Sequence, residues 1–170
     1  MTEPQTLTKL IVLYMLDKVD GPLTKAEIYD FILEREYSNY FTLSQAVYEL
    51  TEDGFVESSS THNSTYLKLT DNGRDTLTFF HTRISEGIKN DIDTYYEQNR
   101  GDIANRMSVV TNYFRIASGE YVAELSAREK TTELITIRLN MPTEDSARAI
   151  CDHWRSASSD IYSFILEKLL

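Results

Sequence analysis

Cys151 and His153 are the residues whose types first suggest chemistry, because thiolate and imidazole are common zinc ligands. They stand two positions apart in a stretch with helical spacing, so they point to different sides of the helix. A zinc site needs four ligands at workable spacing, and no second pair lies nearby in sequence. Nucleophilic catalysis finds no better support. Aspartates and glutamates are scattered rather than paired near a nucleophile, and the six glycines form no phosphate-cradling loop. The expectation is a non-enzyme with no metal and no cofactor. Cys151 is the one cysteine. It cannot form an intrachain disulfide and fits a reducing, cytoplasmic compartment.

The chemistry that remains is recognition, and it requires a scaffold. Leu7, Leu10, Ile11 and Tyr14 recur at helical spacing, widened by Leu13 and Leu16, and Asp20-Gly21-Pro22 ends this first helix. The run from Leu10 to Leu16 resembles a signal-peptide core. Asp17, Lys18, Val19 and Asp20 follow it without a small-residue cleavage site, so a buried helix is expected. Thr24 and Glu27 form a capping box for a second helix with Ile28, Phe31 and Ile32 on its inner face, fading near Glu36. Thr42 and Gln45 suggest a second capping box, with Phe41 and Ala46 as its hydrophobic staple. Leu43, Val47 and Leu50 then face inward, and Gly54 is the expected left-handed terminator.

Two strands follow, 55–59 and 66–69, joined by the polar loop 60–65. Thr70-Asp71-Asn72-Gly73 opens what reads as one long helix reaching Met107. Its apolar stripe is Leu77, Phe80, Ile84, Ile88, Ile92 and Tyr95. Three segments rich in β-branched and aromatic residues come next, 109–117, 120–128 and 132–140, separated by the turns Ser118-Gly119 and Glu129-Lys130-Thr131. They predict an antiparallel meander. Pro142-Thr143 starts a helix with Ala147, Ile150, Cys151 and Trp154 on one side. Ser156 to Asp160 is expected to break it before a last helix carrying Ile161, Phe164, Ile165 and Leu169. The predicted class is α+β. A winged helix-turn-helix occupies 1–76, a linker and dimerisation helix 77–107, and an α+β domain with C-terminal helices 108–170.

Hydrophobic residues make up 41% of the 170, enough for a real core, and no apolar run suits a membrane span. The net charge of −10 argues against broad non-specific binding to nucleic acid or anionic lipid.

The fold is supported more specifically by wording. Leu43-Ser44-x-Ala46-x-x-x-Leu50-x-x-x-Gly54-Phe55-Val56-Glu57 resembles the recognition helix and first wing strand of PadR- and MarR-type bacterial regulators. Tyr66-Leu67-x-Leu69-Thr70-Asp71-x-Gly73-Arg74 resembles their second wing strand and the start of the next helix. The whole chain is also similar to a small bacterial family known only as a domain of unknown function. The regulator resemblance implies sequence-specific binding to double-stranded DNA, with the third helix, 42–53, in the major groove and the wing on the backbone. Thr42, Ser44, Gln45 and Tyr48 would then face DNA. Gln45 would pair with adenine and Ser44 would read either edge type. Lys25, beside the free amides of the second helix, would hold a phosphate, and His62 in the wing would do so when protonated.

This sequence departs from the pattern in charge. The third helix and the wing tip carry no Lys or Arg, while Glu49, Glu52 and Asp53 lie on the helix. Residues 1–75 hold six basic against thirteen acidic residues. Two expectations therefore stand. One is a homodimeric transcription regulator joined through the Leu77 to Tyr95 stripe, because a long apolar stripe needs a partner surface, either a second subunit or the C-terminal sheet of the same chain. The other is a winged-helix module that binds protein rather than DNA.

Overall fold

The computed structural model describes residues 3–19, 21–62, 64–129 and 132–170, with the side chains of 104–107 outside the description. The expected turn residues Asp20, Asn63, Lys130 and Thr131 lie outside it. The class is α+β, and the chain divides into two compact units, Met1–Gly101 and Asp102–Leu170.

In the first unit α1 (Glu3–Lys18) is the hub. Every residue from Thr8 to Leu13 is buried, as are Met15 and Leu16. A helix buried this extensively must be enclosed, and α1 packs against α3 (Tyr40–Glu52), β3 (Thr65–Leu69), α4 (Asp71–Phe80) and a short 3-10 turn (His81–Arg83). After β1 (Leu23–Thr24), the expected capping box starts α2 (Lys25–Glu34). The Thr24 hydroxyl accepts from Glu27 N and the Glu27 carboxylate accepts from Thr24 N.

The third helix begins earlier than the spacing predicted. Asn39 is its N-cap, its side-chain oxygen accepting from Thr42 N at 3.0 Å. Thr42 is thus inside the helix and caps nothing. The staple expected of Phe41 also fails to form, because starting the helix at Tyr40 turns Phe41 outward. Gly54 has φ +76, and the helix closes as expected. Gly54 N bonds Thr51 O and Phe55 N bonds Leu50 O, the paired bonds of a Schellman motif.

The wing is β2 (Val56–Ser60) paired antiparallel with β3, and β1 lies on the other side of β3 to give the order β1-β3-β2. Three helices and this hairpin make the expected winged helix-turn-helix order. The Thr70 hydroxyl ties the hairpin's base, donating to Gly54 O at 2.7 Å and accepting from Gly73 N.

The long helix is not continuous. α4 ends at Phe80, the 3-10 turn follows, Ile84 is extended, and α5 runs Glu86–Ser108. Ser85 is the cause legible in hindsight. Its hydroxyl accepts from Ile88 N and Glu86 follows in the first turn, both helix-start features. The stripe is therefore not a free seam. Leu77, Ile84 and Ile92 are buried within the chain itself, Ile88 and Tyr95 are half-buried, and Phe80 alone of the six is exposed.

The second unit is the expected meander, β4 (Val109–Arg115), β5 (Tyr121–Glu129) and β6 (Thr132–Met141), in the order β4-β5-β6. Tyr113 faces Ala123, Ala123 faces Leu139, and a bulge lies between Ala127 and Arg128. The alternating face Tyr121, Ala123, Leu125, Ala127 packs against Ala147, Ile150, Cys151 and Trp154 of α6 (Glu144–Leu169). α6 runs straight through the expected break at Ser156 to Asp160. Serines tolerate a helix interior by bonding back to the preceding turn, as Ser156 does to His153 O at 3.0 Å, and Ser158 is buried there.

Candidate functional site

The outer face of α3 is built by what its inner face buries. Leu43, Ala46, Val47 and Leu50 enter the core, which leaves Tyr40, Phe41, Gln45 and Tyr48 exposed and Ser44 half-buried at the edge of the outer face. The aromatic members protrude strongly, with Phe41 84% exposed, Tyr48 61% and Tyr40 58%. Sequence reading assigned Phe41 to packing and passed over Tyr40. The signal that finds them is the Asn39 cap, which shifts the helix start by three residues.

Two predicted readers are tied inward rather than free. Ser44 Oγ accepts the Tyr29 hydroxyl at 3.2 Å and is half-buried. Gln45 is exposed, and its Nε2 donates to Glu49 Oε1 at 2.7 Å. That same oxygen accepts from Gln5 Nε2 at 2.9 Å, and Glu49 Oε2 pairs with Lys9 Nζ at 2.5 Å. Lys9 is a buried residue of α1. The Gln45 hydrogen bond, with the Lys9 bond beside it, lowers the Glu49 carboxyl from 4.5 to about 2. Glu49 is therefore ionised but locally offset. The remaining acids, Glu52 and Asp53, sit at the helix's C-terminal end.

Lys25 is exposed at the start of α2 with its ammonium 5.2 Å from the centre of the Tyr29 ring. Tyr29 meets Tyr40 edge-on at 5.8 Å, and Tyr40 meets Phe41 likewise at 6.1 Å. Lys25, Tyr29 and Tyr40 line an open cleft of about 340 Å³ together with Ser64 and Thr65 of the wing. The fold thus gathers the cation, an aromatic ladder and the hairpin at one end of α3. Thr42 is not part of this cleft. It lines a separate groove with Pro4, Thr8, Tyr37 and Arg83. His62, expected as a phosphate contact of the wing, is half-buried in a loop closed by Thr61 N to Ser64 O at 2.8 Å.

Cys151 is buried with its thiol 3.4 Å from Asn112 O, and burial pushes its pKa up. His153 is exposed, its Nδ1 2.7 Å from Ala149 O. Among the described residues no group of three or more His, Cys, Asp or Glu is placed to hold a metal ion, and no helix is long and apolar enough to cross a membrane.

The family model described as "Domain of unknown function (DUF4364)" matches residues 8–169, spanning both units. The chain belongs to the DUF4364 family. Its match begins inside α1 and runs to the last residue of α6, so both units are part of the DUF4364 pattern. No curated protein and no solved structure matches the chain.

Proposed function

We propose that this DUF4364 chain is a cytoplasmic transcription regulator of PadR or MarR character, not an enzyme, that reads duplex DNA with the first turns of α3. The observation carrying this reading is where the charge lies. The outward residues Phe41, Ser44, Gln45 and Tyr48 include no carboxylate, Glu49 is bonded to Lys9, and Glu52 and Asp53 fall at the far end of the helix. Recognition helices contact base edges mainly through their N-terminal residues, so the acidic end stands clear of the bases. Lys25 and the amides at the α2 N-terminus serve a phosphate. Phe41 offers an apolar surface to a thymine methyl.

A homodimer belongs to the same reading, since two-fold operators match two-fold proteins. The 77–95 stripe is largely enclosed, so the seam is assigned to the last turns of α6. Ile161, Phe164, Leu166 and Leu169 are exposed there.

The test is selection from a random duplex library at low salt, followed by salt titration of any enriched site. An enriched site with a shallow salt dependence is expected, because few cations means few released counterions. Failure to enrich any sequence overturns the reading. The second reading, a protein-binding module, would then replace it. Three exposed aromatics on a helix free of Lys and Arg favour it, because aromatic residues are enriched at interface centres.

A further inference from the structure

We infer that Glu49 is a positioning residue that fixes the Gln45 amide in the orientation that reads adenine; this rests on the proposal that α3 enters the major groove. An ionised carboxylate only accepts hydrogen bonds. Of the two ends of the Gln45 amide, only the NH2 end can face it, as Nε2 does at 2.7 Å from Oε1. That fixes which end points away. The bond uses one of the amide's two N–H donors and leaves one donor and the carbonyl acceptor for a ligand.

One donor beside one acceptor is the complement of adenine's major-groove edge, which shows the N7 acceptor and the N6 donor. Guanine shows two acceptors, O6 and N7. A freely rotating glutamine can offer guanine both of its N–H groups. Gln45 cannot, because Glu49 holds one of them, and its carbonyl would then confront a guanine oxygen or nitrogen without a proton between. The carboxylate thus acts by removing a choice.

Glu49 is itself fixed. Lys9 Nζ lies 2.5 Å from Oε2, and Gln5 Nε2 lies 2.9 Å from Oε1. Both partners come from α1, the buried hub, so the orientation of an exposed side chain is referred to the rigid centre of the unit. A glutamine ordered before it meets its ligand loses less rotamer freedom on binding. The lowered pKa, about 2, keeps Glu49 ionised at neutral pH. The acid that counts against DNA by charge alone is therefore part of the reading device.

The experiment compares full-length wild type, Gln45→Ala and Glu49→Ala on the selected duplex. It uses the same duplex with the Gln45-dependent A·T pair changed to G·C. Wild type should prefer the A·T duplex roughly 5- to 150-fold, the range of a bidentate contact. Glu49→Ala should cut that preference to about twofold or less by allowing guanine. Preferences at other base pairs should not change, which a general packing defect would not achieve. In the free protein the Gln45 side-chain amide protons should show a hydrogen-bonded, slowly exchanging resonance that Glu49→Ala abolishes. If Glu49→Ala does not fold, Glu49→Gln keeps the shape but no longer dictates which end of Gln45 faces it, and must weaken the same preference. An undiminished preference in the folded Glu49 variant overturns the inference while leaving the DNA reading intact. Failure to enrich any duplex overturns both.

Discussion

Tyr95 of α5 rests edge-on against Phe31 of α2, with ring centres 5.0 Å apart and planes at 61°. The contact ties the end of the presumed seam to the core of the first unit. The partner surface that the apolar stripe required is supplied by the chain.

A substitution at the centre of the stripe should therefore unfold rather than dissociate. Ile84→Glu places a carboxylate at a fully enclosed position, with a cost of roughly 4 kcal/mol or more. Phe164→Glu, at an exposed position of the last turns of α6, should leave the helical and sheet content seen by circular dichroism unchanged while halving the mass seen by light scattering. A folded, monomeric Ile84→Glu would return the seam to α5.

Gly73 and Glu36 should respond in opposite directions. A Cβ on Gly73 would lie 2.1 Å from the Phe55 carbonyl oxygen and 2.7 Å from Leu69 Cδ1, so Gly73→Ala forces the start of α4 off the wing base. A loss of about 1–3 kcal/mol is expected in urea unfolding. Glu36 is the one described non-glycine residue with positive φ, at 56°, where it ends α2 with Glu36 N on Leu33 O and Tyr37 N on Ile32 O. Glycine carries no Cβ penalty there, so Glu36→Gly should gain about 0.5–1 kcal/mol.

Trp154 anchors the second unit. Its ring is buried, and its Nε1 donates to Ser126 O at 2.9 Å. Trp154→Phe removes the donor and with it this bond, costing about 0.5–1.5 kcal/mol. Trp154→Ala should cost about 3–5 kcal/mol. Native fluorescence should be blue-shifted and poorly quenched by iodide; red-shifted, readily quenched emission would contradict the burial.

Glu49 sets a pH window. Its pKa is lowered in the folded chain, so its contribution to stability is fully present above the ordinary value of 4.5. That contribution is lost as pH falls through about 2. The melting-temperature advantage of wild type over Glu49→Gln should be constant at neutral pH, shrink below pH 4.5 and vanish near 2. An advantage that persists undiminished at the acid end would show that the carboxylate charge is not its source.

Much of the architecture was legible because it rests on local rules. The Thr24 box, the Gly54 terminator and the period-two face of β5 depend on neighbours within a few residues. Misreadings arose where two local signals competed. Asn39 and Thr42 both suit an N-cap, and the earlier one won. Ser85 carried a helix-start signal that the Leu77 to Tyr95 periodicity overrode. Ser156 to Asp160 reads as a breaker, yet burial of Ser158 holds the helix together. In the site, the Gln45–Glu49 spacing of four was visible, since such pairs face each other on a helix. The Lys9–Glu49 pair was not, because it joins residues forty apart whose meeting depends on how α1 packs against α3.

The closure at the base of the wing has a consequence for how the hairpin breathes. Phe55 N on Leu50 O, Thr70 N on Phe55 O and the Thr70 hydroxyl on Gly54 O lock the end of α3 to the start of α4. Towards the tip, exposed Ser58, Ser59 and Ser60 offer little apolar anchorage. Amide deuterium uptake should therefore run as a gradient, slowest at Phe55 and Thr70 and faster along β2 towards Ser60. The hairpin would open from its tip like a zip whose lower end is sewn shut, so ordering it against any surface costs entropy only in its last few residues.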